Sequence, residues 1–219
     1  MKPKAIVFDA YGTLFDVNSA AEKCKNKLGN KWESFANYWR TTQLEYTWLR
    51  SLMKKHKDFW QVTEDSLDKS MKVFNIDNNL KNELLNLYKI LSPYPEVKKV
   101  LTDLKEKKFK LAILSNGTPE LLEELVIKNN LNNLFDNLFS IEEVKIYKPD
   151  HKVYDLPIKK YNIKPNEIFF LSANTWDVSG GGNYGYNSIW VNRNKSHFDN
   201  LDYLPKNEIG NLTQLLDII

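Results

Sequence analysis

The amino-acid sequence predicts an α/β fold: a doubly wound parallel sheet with a helical cap domain inserted after its first strand. Three observations lead there. Several short apolar runs lack the polar alternation of half-exposed strands, as strands covered on both faces do. Helix-length segments with start and stop signals separate the later runs, which argues for alternating strand and helix. Between the first run and the second lie about a hundred residues with helical patterns and no convincing strand, far too many for a single crossover.

Ala5-Ile6-Val7-Phe8 is the first strand. Past it, Ser19-x-x-Glu22 reads as a capping box and Gly29 as a C-terminal cap after Leu28. From Trp32 to Met53 apolar side chains recur at helical spacing: Trp32, Phe35, Trp39, Tyr46, Leu49, Leu52 and Met53. Two more helices are expected over Glu64–Phe74 and Asn79–Leu91, before Ser92-Pro93-Tyr94-Pro95 breaks the pattern and returns the chain to the core. The second strand is Lys110–Leu114. Thr118-Pro119-Glu120 then supplies a capping hydroxyl, a proline and an acid at a helix start, and Asn129-Asn130 follows the helix end. Leu138-Phe139-Ser140, Ile168–Leu171 and Ser188–Val191 are the remaining strands. Gly180-Gly181-Gly182 falls inside an expected helix. At about 1 kcal/mol each relative to alanine, the three glycines are expected to end that helix early and loosen the loop before it. The division that results is an α/β core of residues 1–15 and 96–219 and a helical cap of residues 16–95.

Composition excludes several function classes. With 42% hydrophobic and 13% aromatic residues, the 219-residue chain can bury a real core. Net charge is +3, with lysines interleaved among acids, so there is no basic stripe for nucleic acid. No apolar run approaches the roughly 20 residues that span a bilayer, and the N-terminus enters a strand without a signal-peptide pattern. The single cysteine, Cys24, allows neither an intrachain disulfide nor a cysteine zinc site. His56, His151 and His197 show no metal-ligand spacing. A cytoplasmic protein without cofactor, metal, nucleic-acid or membrane partner is expected.

In open α/β sheets, sites form beyond the carboxyl ends of the strands. The first strand ends in Asp9, followed by Ala10-Tyr11-Gly12-Thr13-Leu14. The second ends in Ser115-Asn116-Gly117, and the fourth in Ser172-Ala173-Asn174-Thr175-Trp176-Asp177. Tyr147-Lys148-Pro149 and Tyr154 follow the third. Taken singly, Asp9 is a turn former, Lys148 a surface lysine and Asp177 a first-turn helix acid. Taken together, they converge on one patch, which independent turn residues have no reason to do.

This set resembles the haloacid dehalogenase superfamily, over essentially the whole chain. D-A-Y-G-T-L-F (Asp9 to Phe15), S-N-G (Ser115 to Gly117), Y-K-P (Tyr147 to Pro149) and S-A-N-T-W-D (Ser172 to Asp177) match its four successive motifs. The cap segment W-R-x-x-Q-L-E-Y-T-W-L-R (Trp39 to Arg50) is similar to the L-2-haloacid dehalogenases within it. The resemblance implies a Rossmann-like core with an inserted cap, and hydrolysis of a short 2-haloacid, L to D-2-hydroxy acid, through an ester on Asp9. It also implies a homodimer formed through the cap helices. Two alternatives are a phosphatase of the same superfamily acting on a small phosphate ester and a catalytically silent binding protein of this fold.

Chemistry separates these readings. The phosphatases carry a second Asp two residues after the nucleophile to protonate a leaving alkoxide; here that position is Tyr11. A phenol with a reference pKa near 10 is poorly suited to cycle as acid and base at neutral pH. A halide leaves without a proton. The fourth motif also has Ser172 where the phosphatases keep an acid, so a magnesium site would be thin. The expected roles follow. Asp9 is the nucleophile, Asp177 activates water, and Lys148 balances their charge. Backbone amides near Ala10 and Tyr11 stabilise the oxyanion. Thr13 and Tyr154 hold side chains in place, and Ser172 and Asn174 orient Lys148 or water. By resemblance, Arg40 and Asn116 cradle the halide or carboxylate, Ser115 binds the carboxylate, and Tyr11, Leu44, Phe59 and Trp176 surround the alkyl group. Retention of Asp9, Lys148 and Asp177 together argues against a silent scaffold.

Overall fold

A computed structural model describes residues 2–219 and contains one six-stranded sheet in the order β3-β2-β1-β4-β5-β6. β1 spans Ala5–Phe8, β2 Lys110–Ser115, β3 Asn137–Ser140, β4 Ile168–Ser172, β5 Asn187–Val191 and β6 Asn207–Ile209. All pairings are parallel. β1 sits between β2 and β4, with Phe8 opposite Ile113 and Leu171, so the residues that follow the three strands emerge at one level. The chain runs from β1 outward to β3 and then crosses back to β4. The gap between β1 and β4 is therefore the switch point where α/β sheets bind ligands. All four residues of β1 and all five of β4 are buried, which is why these runs carry no polar alternation. β6 has no counterpart in the sequence analysis. It is three residues long and only Ile209 is buried, so neither length nor hydropathy marks it. It pairs with β5 through the backbone.

Between β1 and β2 the described residues form helices and no strand: α1 (Ser19–Lys23), α2 (Lys25–Leu28), α3 (Trp32–Leu52), α4 (Phe59–Phe74), α5 (Lys81–Tyr88) and α6 (Val97–Glu106). α6 packs against β2, whereas α3 and α4 pack on each other. Phe35 and Trp39 of α3 are buried there, with Phe35 edge-on to Phe74 at 5.8 Å. The chain leaves and re-enters the sheet side by side. Asp16 donates its N–H to Ser92 O at 2.8 Å, Tyr94 donates to Leu14 O at 3.0 Å, and Phe15 and Pro93 form an antiparallel bridge.

Three local expectations are corrected. The capping box at Ser19 does not form: Ser19 is the first helical residue, and its hydroxyl donates to Asp16 O at 2.8 Å. The Asp16 carboxylate instead accepts Asn18 N–H at 2.9 Å. α4 begins at Phe59 rather than Glu64, because Asp58 caps it by accepting Gln61 N–H at 2.8 Å. The helix expected over Asn79–Leu91 is a 3₁₀ turn, Asn78–Leu80, leading into the shorter α5. Gly29 does end α2, at φ 62°.

After β2 come α7 (Pro119–Lys128), α8 (His151–Tyr161) and α9 (Thr175–Tyr184). Thr118 caps α7 by accepting Leu121 N–H, as its sequence implies. The expectation that the glycine run ends α9 early is overturned. The helix continues through Gly180-Gly181-Gly182 to Tyr184. A Cβ on Gly180 would lie 2.5 Å from Tyr154 OH and 2.6 Å from Pro149 Cβ; one on Gly181 would lie 2.7 Å from Phe170 Cδ1. The glycines are there because neighbouring side chains lie against the helix backbone, and that packing offsets their poor helix propensity.

Candidate active site

The first turn past β1 delivers Asp9. Gly12, at φ 90°, donates its N–H to Phe15 O at 2.8 Å, while Leu14 and Phe15 donate to Ala10 O. That positive φ suits glycine and few other residues. The N–H groups of Ala10 and Tyr11 have no internal acceptor among the described residues.

Asp9 is 5% exposed, and both carboxylate oxygens are engaged. Oδ2 accepts from Asn174 Nδ2 at 2.9 Å, Thr13 Oγ1 at 3.0 Å and Ser172 Oγ at 3.4 Å. Among the described residues Oδ1 accepts from Lys148 Nζ alone, at 3.2 Å. Thr13 Oγ1 in turn accepts Ala173 N–H at 2.8 Å, which aims its own proton at Asp9. Ser172 and Asn174 were expected to orient Lys148 or water; they reach Asp9 instead. Position in the motif cannot distinguish the two, because both face the same gap between β1 and β4.

Lys148 Nζ also lies 2.8 Å from Asp177 Oδ2, and neither side chain has exposed surface. Tyr154 OH donates to Asp177 Oδ1 at 2.7 Å. Burial pulls the Lys148 ammonium down, but Asp177 and Asp9 outweigh it and hold it above its ordinary value. Burial pushes Asp177 from 3.8 up to about 6, against the pull of Lys148. The Tyr154 phenol is driven well above its usual value by burial and by Asp177, so it remains a donor.

The Ser115-Asn116-Gly117 loop joins this network through the main chain. Ser115 Oγ accepts Gly117 N–H at 3.1 Å, and Asn116 Oδ1 accepts the backbone N–H of Lys148 at 3.2 Å. Among the described residues the Asn116 amide NH₂ has no acceptor and remains a free donor. Tyr11 lies against this loop: a Cβ on Gly117 would be 3.0 Å from its ring and its hydroxyl. The Tyr11 hydroxyl is buried without a partner among the described residues, and burial drives its pKa well upward.

Helices α3 to α5 roof the site. Arg40 Nη2 lies 3.4 Å from Tyr11 O, the carbonyl that also accepts Asn174 Nδ2 at 3.2 Å. Phe59 is buried with its ring 5.1 Å from that of Tyr11. Trp176 is half-buried and meets Trp48 edge-on at 5.4 Å. Leu44 is half-buried one turn beyond Arg40. Gln43 is absent from the sequence-based set and belongs here. Its Oε1 accepts Arg40 Nη1 at 2.9 Å, and its Nε2 donates to Thr63 Oγ1 at 2.6 Å. The available signal was its spacing, three residues after Arg40 on one helix face. The segment before Lys148 is tied to the same roof, since Tyr147 OH donates to Lys57 O at 2.7 Å and Tyr147 N–H to Ser51 Oγ at 3.2 Å.

Chemically this is one buried carboxylate, Asp9, beside a second, Asp177, whose pKa burial raises to about 6, the two bridged by the Lys148 ammonium. The haloacid dehalogenase-like hydrolase family model matches residues 3–185. The chain is 43% identical over 192 residues to (S)-2-haloacid dehalogenase 1 of Pseudomonas sp. (strain CBS-3), covering 87% of this chain and 85% of that protein. It is 36% identical over 219 residues to (S)-2-haloacid dehalogenase 4A of Burkholderia cepacia, covering 99% and 94%. Its fold matches L-2-haloacid dehalogenase from Xanthobacter autotrophicus with chloropropionic acid covalently bound, at a TM-score of 0.92 and 31% identity, covering 100% of this chain and 98% of that one.

Proposed function

This chain belongs to the haloacid dehalogenase-like hydrolase family, and from that premise we propose that it hydrolyses short 2-haloacids, converting the L-2-haloacid to the D-2-hydroxy acid and halide. The observation that carries the reading is the single ammonium, Lys148 Nζ, 3.2 Å from Asp9 and 2.8 Å from Asp177. Magnesium prefers near-octahedral oxygen ligands at about 2.0–2.1 Å. The two carboxylates it would draw on already share a cation, and Ser172 replaces the further acid of the phosphatases. These residues do not fit a resident magnesium ion, and the reaction proposed uses none.

In the first step Asp9 attacks C2 of the haloacid in line with the carbon–halogen bond. The C–O bond forms, halide departs with the bonding pair, and inversion turns the L configuration into D. The positive charge of Lys148 and Arg40 and the free amide of Asn116 suit an anionic substrate and a departing anion. A charged hydrogen bond of this kind contributes roughly 1.5–3 kcal/mol. In the second step Asp177 takes a proton from water, which attacks Cγ of the ester. The N–H groups of Ala10 and Tyr11 stabilise the tetrahedral oxyanion. Collapse breaks the Cγ–O bond to the product, whose alkoxide takes the proton held on Asp177, so the hydroxy acid carries an oxygen from Asp9 and the new Asp9 carboxyl ionises. Thr13, Ser172 and Asn174 position Asp9, Tyr154 positions Asp177 and Gln43 positions Arg40. Tyr11, Leu44, Phe59 and Trp176 surround the alkyl group.

Two broader attributes complete the reading. Residues 16–95 act as a cap domain over a core of 1–15 and 96–219, and cap helices join two copies in a homodimer, with Leu52 at the end of α3 and Met53 just after it 80% and 59% exposed. The lone, buried Cys24 suits a reducing cytoplasm, and among the described residues no helix is long and apolar enough to cross a membrane.

The test is halide and acid release from L- and D-2-chloropropionate in EDTA, for the wild type and Asp9→Asn. L-selective release that survives chelation and disappears in the variant is expected. Release from neither enantiomer would sink the reading and turn attention to phosphate esters with magnesium.

A further inference from the structure

Arg193 follows β5, outside the motifs that supply the site, yet its side chain ends one peptide away from the Asp9 network. Nη2 donates to Thr13 O at 2.9 Å, and Nη1 to Glu96 Oε1 at 2.5 Å. The guanidinium lies 3.8 Å over the ring of Tyr94. The side chain is 13% exposed, and its Nε–H has no acceptor among the described residues, so the two Nη groups set its orientation. Thr13 is on the outgoing crossing between sheet and helices; Tyr94 and Glu96 are on the return. One planar fork thus clasps both crossings where they pair. Its own base is fixed: Asn192 donates its N–H to Ile209 O at 2.8 Å and its side-chain amide to Glu208 Oε1 at 2.7 Å.

We propose that Arg193 is a positioning residue for the nucleophile. By fixing the Thr13 carbonyl it fixes the Thr13 hydroxyl, which lies 3.0 Å from Asp9 Oδ2 and orients the carboxylate for in-line attack. Three geometric features support it. Thr13 has no exposed surface and cannot recover its position by turning toward water. Thr13 Oγ1 is held from the other side by Ala173 N–H, so a shift of the carbonyl rotates the hydroxyl about that contact. The bidentate reach from Thr13 O to Glu96 needs a guanidinium; a lysine ammonium cannot span both partners while lying flat on Tyr94. The proposal rests on the dehalogenase reading of the site, and its test separates the two.

Arg193→Lys, Arg193→Ala, Thr13→Val and the double variant Arg193→Lys/Thr13→Val are compared with wild type in steady-state release from L-2-chloropropionate. Deuterium exchange of the peptide spanning residues 10–15 is followed in the same proteins without substrate. The expected result for Arg193→Lys is a kcat lowered about tenfold with KM within about twofold, since an orienting contact acts on the transition state more than on ground-state binding. Free guanidinium should partly restore kcat in Arg193→Ala. The double variant should be no slower than Thr13→Val, because both changes act through one hydrogen bond. Exchange at residues 10–15 should rise with the rest of the sheet unchanged. Wild-type kcat in Arg193→Lys, or additive losses in the double variant, would overturn the proposal. If the wild type releases no halide, the dehalogenase reading fails, and unchanged exchange at residues 10–15 then overturns the positioning role as well.

Discussion

Asp177 is the residue whose environment says most about timing. Its acid form persists up to about pH 6 because burial disfavours the charge more than Lys148 restores it. A native value above the ordinary one means that folding takes up a proton, so this carboxyl contributes most to stability below about pH 4 and loses that contribution as pH rises through about 6. The proposed catalysis runs the other way, since only the ionised form accepts a proton from water. Esterification removes the Asp9 charge that also raises this carboxyl, so the acid limb of kcat is expected to lie below about pH 6, while Lys148 stays charged. Asp177→Asn should remove that limb and trap the ester. A rapid-quench assay should then give one halide per active site, no hydroxy acid, and an adduct on the Asp9 peptide. Steady turnover by this variant would exclude Asp177 as the base. Asp9, Lys148 and Asp177 were legible in the sequence because each follows a strand the apolar runs mark. The partners of Ser172 and Asn174 were not, because spacing brings a side chain to the gap without saying which oxygen it bonds.

Among the elements, α9 was the least legible. Helix propensity argues against three adjacent glycines, and that local cost gives no hint of what lies on the far side of the backbone. What decides the matter is contact between distant segments: Tyr154 and Pro149 at Gly180, Phe170 at Gly181, Tyr203 at Gly182. Their consequences differ. A methyl at Gly180 meets the Tyr154 hydroxyl that holds Asp177, so Gly180→Ala should cost about 1–3 kcal/mol by overpacking and lower kcat as well. At Gly182 the methyl meets the outer end of the Tyr203 ring, which is partly exposed and can swing away. Gly182→Ala should therefore leave kcat within about twofold. Melting temperatures and kcat for the pair check the contrast, and an unaffected Gly180→Ala would break the proposed link from α9 packing to Asp177. Helix boundaries erred for a related reason: at Asp58 the cap belongs to the loop before the apolar repeat that announces α4.

The whole molecule was legible in outline because its largest features have the simplest causes. A parallel sheet buried on both faces writes continuous apolar strands, and a long strandless interval writes the helical insertion. β6, three residues long with two of them polar, left no such mark. How copies associate is a prediction at this scale. Sedimentation velocity at micromolar concentration should give a dimer for the wild type and a monomer for Leu52→Asp/Met53→Asp. A monomeric wild type would remove the homodimer. The paired crossing at Phe15 and Pro93 bears on descent. Because the two ends of the insertion meet as neighbours, whatever is strung between them can be lengthened, shortened or exchanged while β1 and β2 keep their places. Asp9, Lys148 and Asp177 stay with the sheet, while Arg40 and Gln43 travel with the insertion. On the proposed function, substrate selection and the reaction itself thus sit on separable stretches of chain, joined through one doorway.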